Sequence, residues 1–331
     1  MSKVAVMGSG SWGTAFAMVV CDAGNEVTLW ARRPELAAKI NSEHRNPDYF
    51  PTIPLPESLV AVSDPDKAMA GADFVVLAVP SQSLRSNLAL WRIPESAIVV
   101  SLAKGVEVGT GLRMSEVIAE AGRIEPSRIA VVTGPNLARE IAERQPSASV
   151  VASVSAATAS ALQAACHTPR FRAYTNTDVI GCELGGATKN VIALAVGMAV
   201  GLGLGANATA SVITRGLAEI SRLGQALGAD PYTFSGLAGL GDLVATCSSP
   251  LSRNRTFGEE LGKGRTVAEI TASTRQVAEG VKSCVSITEL AAEHRIEMPI
   301  VENVAAVVAG ELTAVEMITA LMSRSAKPER Y

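Results

Sequence analysis

The chain has 331 residues, 48% hydrophobic, 18% charged and 4% aromatic, with a formal net charge of −3. That length exceeds what one core usually holds and points to two domains, and the composition is that of a globular protein. A balance so near neutrality offers no global field for nucleic acid, and three histidines without ligand spacing offer no metal site.

Five cysteines lie far apart without a Cys-x-x-Cys pair, and no apolar leader precedes the first strand. A reducing, cytoplasmic setting is therefore expected. In chain order, "KVAVMG" is a short apolar run, followed by glycines and then by "TAFAMVVCDAG" with helical spacing and a stop at Gly24. "EVTLWAR" is a second strand and "RPELAAKINSE" a helix, while the Pro- and Asn-rich "NSEHRNPDYFPTIPLPE" reads as loop. "DFVVLAVP", "AIVVSLAKG" and "IAVVTGP" are unbroken apolar runs with helical patterns between them, as in a parallel sheet buried on both faces. This alternation predicts a doubly wound α/β domain, with "SASVVASVS" and "FRAYTNTD" as two last strands. From about Gly181 onward only helical patterns appear, which predicts a Rossmann-type domain over residues 1–180 and an all-α domain over 181–331.

The uncharged stretch between Lys189 and Arg215 is long enough to span a membrane. Three glycines and Asn207 interrupt it, and it lacks positive flanks and aromatic belts, so two buried helices broken at "GLGLGAN" are expected instead.

Residues 6–17, "VMGSGSWGTAFA", set Gly8, Gly10 and Gly13 in G-x-G-x-x-G spacing with a strand before and a helix after. In that context the glycines allow a tight turn, close approach of a pyrophosphate, and packing of a helix on the sheet. A strict NAD site carries Asp or Glu at the end of the second strand, where this chain has Arg32 and Arg33. A guanidinium there can pair with a 2′-phosphate, so NADP is permitted; a solvated pair of arginines is the plain alternative.

With histidine so scarce, lysines are the candidate proton carriers. "ELGGATKNVIALAVG" puts Lys189 and Asn190 at the head of an apolar helix, where partial desolvation would lower the lysine pKa toward a useful range. Taken alone, a lysine snorkelling from a helix start is the simpler account. Lys104 in "SLAKGVE" follows a strand C-terminus, the ligand-binding edge of such sheets, and "VTGPNLARE" ends the next strand. In "GLAGLGDLVATCSSPLSRNRTFGEEL" the glycines read as loops, Asp242 is a candidate partner for the lysines, and "SRNR" could hold a phosphate ester or simply start a helix.

Together these segments resemble the bacterial NAD(P)-dependent glycerol-3-phosphate dehydrogenases over nearly the whole chain, in order: "GSGSWGTA", "AVPSQ", "SLAKGVE", "TGPNLARE", "GGATKN", "GLAGLGDL", "TC", "SRNRTFG" and "VAEGV". The resemblance implies reversible hydride transfer between NAD(P)H and dihydroxyacetone phosphate, giving sn-glycerol 3-phosphate for phospholipid synthesis. It implies Lys189 as proton donor and acceptor, and Lys104 touching both substrate and nicotinamide. Gly134, Asp242, Ser252, Arg253 and Asn254 then face the substrate, with Arg253 also near the cofactor. Ser11, Trp12, Arg32, Arg33, Tyr49, Ala138, Val277 and Glu279 become cofactor contacts. Asn136 stands where many relatives carry Ser, and its amide still offers a donor and an acceptor for the substrate. A homodimer is expected, and the tail "SRSAKPERY" has no assigned part. Two rival functions share the fold. Against a β-hydroxy acid or ketopantoate-type dehydrogenase stand "SRNR" and Lys104, which suit a phosphate. Against a non-catalytic NAD(P) sensor stands the retention of both lysines.

Overall fold

A computed structural model describes every residue except 274–277, 327, 330 and 331. Eight strands form one sheet: β1 (Lys3–Met7), β2 (Glu26–Trp30), β3 (Val60–Val62), β4 (Phe74–Leu77), β5 (Ile98–Ser101), β6 (Ile129–Thr133), β7 (Ser147–Ala152) and β8 (Phe171–Asn176). Their order is β3-β2-β1-β4-β5-β6-β7-β8. The first half also holds helices α1 (Ser11–Asp22), α2 (Pro34–Glu43), α3 (Pro65–Met69), α4 (Leu84–Leu88), α5 (Met114–Gly122), α6 (Ala138–Ala142) and α7 (Ala156–Cys166). β3 is a strand that the apolar runs did not announce.

β1, β4 and β6 expose almost none of their side chains, because helices cover both faces of the sheet. One face packs Phe16, Val19, Phe50 and Phe171 in its core, and the other packs Met69, Leu84, Trp91, Met114 and Ile118. The strand order reverses between β1 and β4, which is where a doubly wound sheet opens its ligand crevice.

The sheet departs from all-parallel at one place: β7 runs antiparallel to β6, then β8 returns parallel to β7 through α7. Between β6 and β7 stands only the five-residue α6, about 7 Å long, too short to carry the chain back along the sheet.

The second half is helical: α8 (Val179–Gly201), α9 (Ala206–Ala226), α10 (Asp242–Ser248), α11 (Arg253–Gly262), α12 (Val267–Ser273), α13 (Glu279–Glu293), α14 (Pro299–Ala309) and α15 (Ala314–Met322). The expected boundary at residue 180 falls inside the first turn of α8. That helix is long and apolar enough to cross a membrane, but 94% of its most apolar window is buried in the molecule. Glycines let it sit so deep. A Cβ on Gly197 would collide with Arg255 O, one on Gly201 with Glu259 O, one on Gly258 with Leu194 O and one on Gly262 with Met198 O. Two pairs of glycines four residues apart thus bring α8 and α11 into backbone contact.

Candidate active site

The glycine loop is built by close approach. Gly8 holds φ +140°, and a Cβ there would collide with Ala78 O beyond the end of β4; a Cβ on Gly13 would collide with Gly8 O. Only glycine lets α1 pack this tightly on β1 and β4. Around Gly10 nothing lies within 4 Å of where a Cβ would stand, and no side chain caps the α1 N-terminus that it begins. The open, uncapped helix end is an anion cradle. Trp12 Nε1 is buried without a partner beside it. Asn46 Nδ2 donates to Ser9 O and Thr14 Oγ1, both at 2.9 Å, and so pins the loop from the following segment.

These features fit a dinucleotide pyrophosphate. At the far end, Arg32 and Arg33 are exposed just past β2, and Arg33 Nη2 pairs with Asp48 Oδ2. Half-buried Tyr49 packs against the core beside them. Ala138 opens α6, and Glu279 opens α13 in the helical half, next to Gly280, whose N–H donates to Asn254. Val277 lies outside the described residues.

Lys189 does not head a helix. α8 starts ten residues earlier, where the Asp178 side chain accepts from Gly181 N at 2.9 Å, so the lysine is internal. The glycines before it lie inside the helix as packing sites: a Cβ on Gly181 would collide with Asp178 Oδ2, and one on Gly185 would press on Ala238 O. Leu237–Gly241 likewise forms a wide helical turn leading into α10 rather than a loop, because Gly239 lies against the backbone of Phe234.

Asp242, the first residue of α10, is 1% exposed and faces both lysines. Lys104 Nζ donates to Asp242 Oδ2 at 2.7 Å and to Gly134 O at 3.3 Å. Lys189 Nζ donates to Asp242 Oδ1 and, at 2.6 Å, to Thr246 Oγ1. Each ammonium has three N–H groups and two of these partners, so each keeps one N–H for a ligand. Two lysines against one carboxylate leave a net positive charge at the seam of the two halves. Burial pulls the Lys189 pKa down to about 8; Asp242 opposes that shift and Lys104 adds to it.

Thr246 was missed in the sequence, although it lies one helical turn after Asp242 and so shares its face. Ser252 caps α11, accepting from Arg255 N at 3.3 Å, and exposed Arg253 follows it. The Asn254 amide is engaged in the frame: Nδ2 donates to Asn190 Oδ1 at 3.0 Å, and Oδ1 accepts from Gly280 N at 2.9 Å. Asn254 therefore links α11 to α8, directly after Lys189, and to α13. Asn136 lies two residues beyond Gly134, and its amide meets Ser149 Oγ at 2.7 Å. Among the described residues no cluster of His, Cys, Asp or Glu could hold a metal ion.

Comparison with known proteins agrees in both halves. Residues 3–159 match the N-terminal and residues 178–319 the C-terminal profile of NAD-dependent glycerol-3-phosphate dehydrogenase. The chain is 63% identical over 330 residues to "glycerol-3-phosphate dehydrogenase [NAD(P)+]" of Streptomyces avermitilis, covering 99% of this chain and 98% of the relative. It is 64% identical to the protein of that name from Thermobifida fusca, covering 100% and 99%. The glycerol-3-phosphate dehydrogenase structure of Coxiella burnetii superposes with a TM-score of 0.92 at 36% identity, covering 98% of this chain and 99% of that one. A ketopantoate reductase of Ralstonia eutropha shares the fold alone, with a TM-score of 0.60 at 18% identity over 96% and 99%. By these matches and by the lysine–aspartate centre joining its two halves, the chain belongs to the NAD-dependent glycerol-3-phosphate dehydrogenase family.

Proposed function

We propose that this protein interconverts dihydroxyacetone phosphate and sn-glycerol 3-phosphate with NAD(P)(H), supplying glycerol 3-phosphate for glycerophospholipid synthesis. The observation that carries the reading is the Lys104–Asp242–Lys189–Thr246 cluster beyond the C-terminal ends of β5 and β6. NAD(P)H, when bound, supplies the hydride that reduces the substrate carbonyl carbon. Lys189 Nζ gives its proton to the carbonyl oxygen as negative charge develops there, so that ketone, hydride and proton together make the alcohol. Asp242 and Thr246 hold that ammonium in place from two sides. Lys104 places its remaining N–H and its charge toward an anionic substrate, and Arg253 with Ser252 at the start of α11 is the further phosphate contact. The cofactor is held by Gly8, Gly10, Ser11, Trp12 and Gly13, with Arg32, Arg33 and Tyr49 on its adenosine side and Ala138 and Glu279 beyond. A homodimer in the cytoplasm belongs to the same reading, and five free thiols suit that compartment.

The test is absorbance of NADH or NADPH with dihydroxyacetone phosphate against ketopantoate. Oxidation with the triose phosphate and none with ketopantoate is expected; the reverse preference, or no oxidation with either, contradicts the reading.

A further inference from the structure

Ser149 stands in the middle of β7, fully buried, under the turn that links β6 to α6. Its Oγ lies 2.9 Å from Thr133 O and 2.7 Å from Asn136 Oδ1, while Asn136 Nδ2 is buried without a partner. The two neighbours of this hydroxyl, as placed, are both acceptors, and a serine hydroxyl has one proton. A side-chain amide is assigned by its partners, and turning this one by half a revolution satisfies all three atoms. Asn136 Nδ2 then donates to Ser149 Oγ, and Ser149 Oγ donates to Thr133 O. Two hydrogen bonds replace one.

The turn is rigid enough to hold that choice. Gly134 has φ +122°, a Cβ there would come within 3.3 Å of Ser149 Cα, and its carbonyl accepts from Lys104 Nζ at 3.3 Å. The atom left without a partner is then the amide oxygen, and a buried unpaired acceptor calls for a donor.

We infer that Ser149 is a positioning residue that sets the polarity of Asn136, so that Asn136 offers the bound ligand an acceptor and selects for an N–H or O–H group. This rests on the function proposed above, whose ligands carry two such donors: the free hydroxyl of dihydroxyacetone phosphate and the carboxamide N–H of the nicotinamide.

The experiment compares wild type with Ser149→Ala on two matched pairs. The first pair is dihydroxyacetone phosphate against hydroxyacetone phosphate, which has a methyl in place of the hydroxymethyl group. The second is NADH against its acetylpyridine analogue, in which a methyl replaces the carboxamide nitrogen. The variant should lose about tenfold in kcat/KM on the donor-bearing member of one pair and less than about twofold on the other member. The pair that shows the loss identifies the donor, and the loss should lie in KM rather than kcat. Equal losses on both members of both pairs, or no loss at all, overturn the inference. Neutron diffraction of deuterated wild-type protein tests it without substrate. Asn136 deuterons directed at Ser149 support it, and a Ser149 deuteron directed at Asn136 overturns it. A wild type inactive on both trioses would refute the proposed function, and the diffraction result would still decide the amide.

Discussion

Lys189 Nζ sits between Asp242 Oδ1 and Thr246 Oγ1 on the buried face of α8, and this setting brings its pKa down to about 8. An ammonium near that value is still mostly protonated at neutral pH and gives its proton up readily. The sign follows for each direction. Reduction needs the protonated form and should fall as pH rises through about 8; oxidation needs the free amine and should rise through the same range. At the other end of the cofactor, Arg33 is taken up by Asp48, whereas Arg32 makes no hydrogen bond or ion pair among the described residues. Arg32 is thus the guanidinium available to a 2′-phosphate. Arg32→Ala should raise KM for NADPH about tenfold while changing KM for NADH less than about twofold, in steady-state assays with each cofactor. Equal effects would mean that Arg32 reads no phosphate.

Among the elements, α8 carries the most. It brings Lys189 and Asn190 to the site, and Glu183 on it accepts from Ser115 N at 2.8 Å and Arg113 Nη1 at 2.7 Å, tying it to the start of α5. Its depth rests on the glycine crossing with α11. Gly258→Ala should cost about 3 kcal/mol, read from urea unfolding, because the new methyl meets Leu194 backbone that has no room to yield. Gly205→Ala is the comparison, since Gly205 has open space and an ordinary φ, and it should cost no more than about 1 kcal/mol, the part lost with glycine at the N-cap of α9. The sequence puts Lys189 at the head of its helix, whereas Gly181, Gly185 and Gly186 lie inside α8, where a Cβ would meet Asp178, Ala238 and Thr133. Whether a glycine ends a helix or admits a neighbour depends on what packs against it, and no local pattern records that. The loop at Gly8, Gly10 and Gly13 was legible because strand, turn and helix are contiguous.

In the whole molecule, Lys104 and Gly134 come from the sheet and Lys189, Asp242 and Thr246 from the helices, so the centre exists only where the halves meet. Its residue types and both lysines could be read along the chain, and the family resemblance supplied their roles. Their mutual geometry could not be read, nor could the residues that brace them from a distance: Asn46 reaches Thr14 across 32 positions, and Ser149 reaches Asn136 across an antiparallel strand. The antiparallel turn from β6 to β7 is itself what brings Ser149 under the Gly134 loop. In the proposed function this seam reduces dihydroxyacetone phosphate with Lys189 as proton donor. The most direct measurement is the pH profile of that reduction for wild type and Lys189→Ala, with Tm recorded for both. Wild type should lose activity as pH rises through about 8, and the variant should turn over at least about 10²-fold more slowly and lack that limb. A folded variant that keeps near-normal turnover, or keeps the same limb, would contradict the account and put the proton on another group.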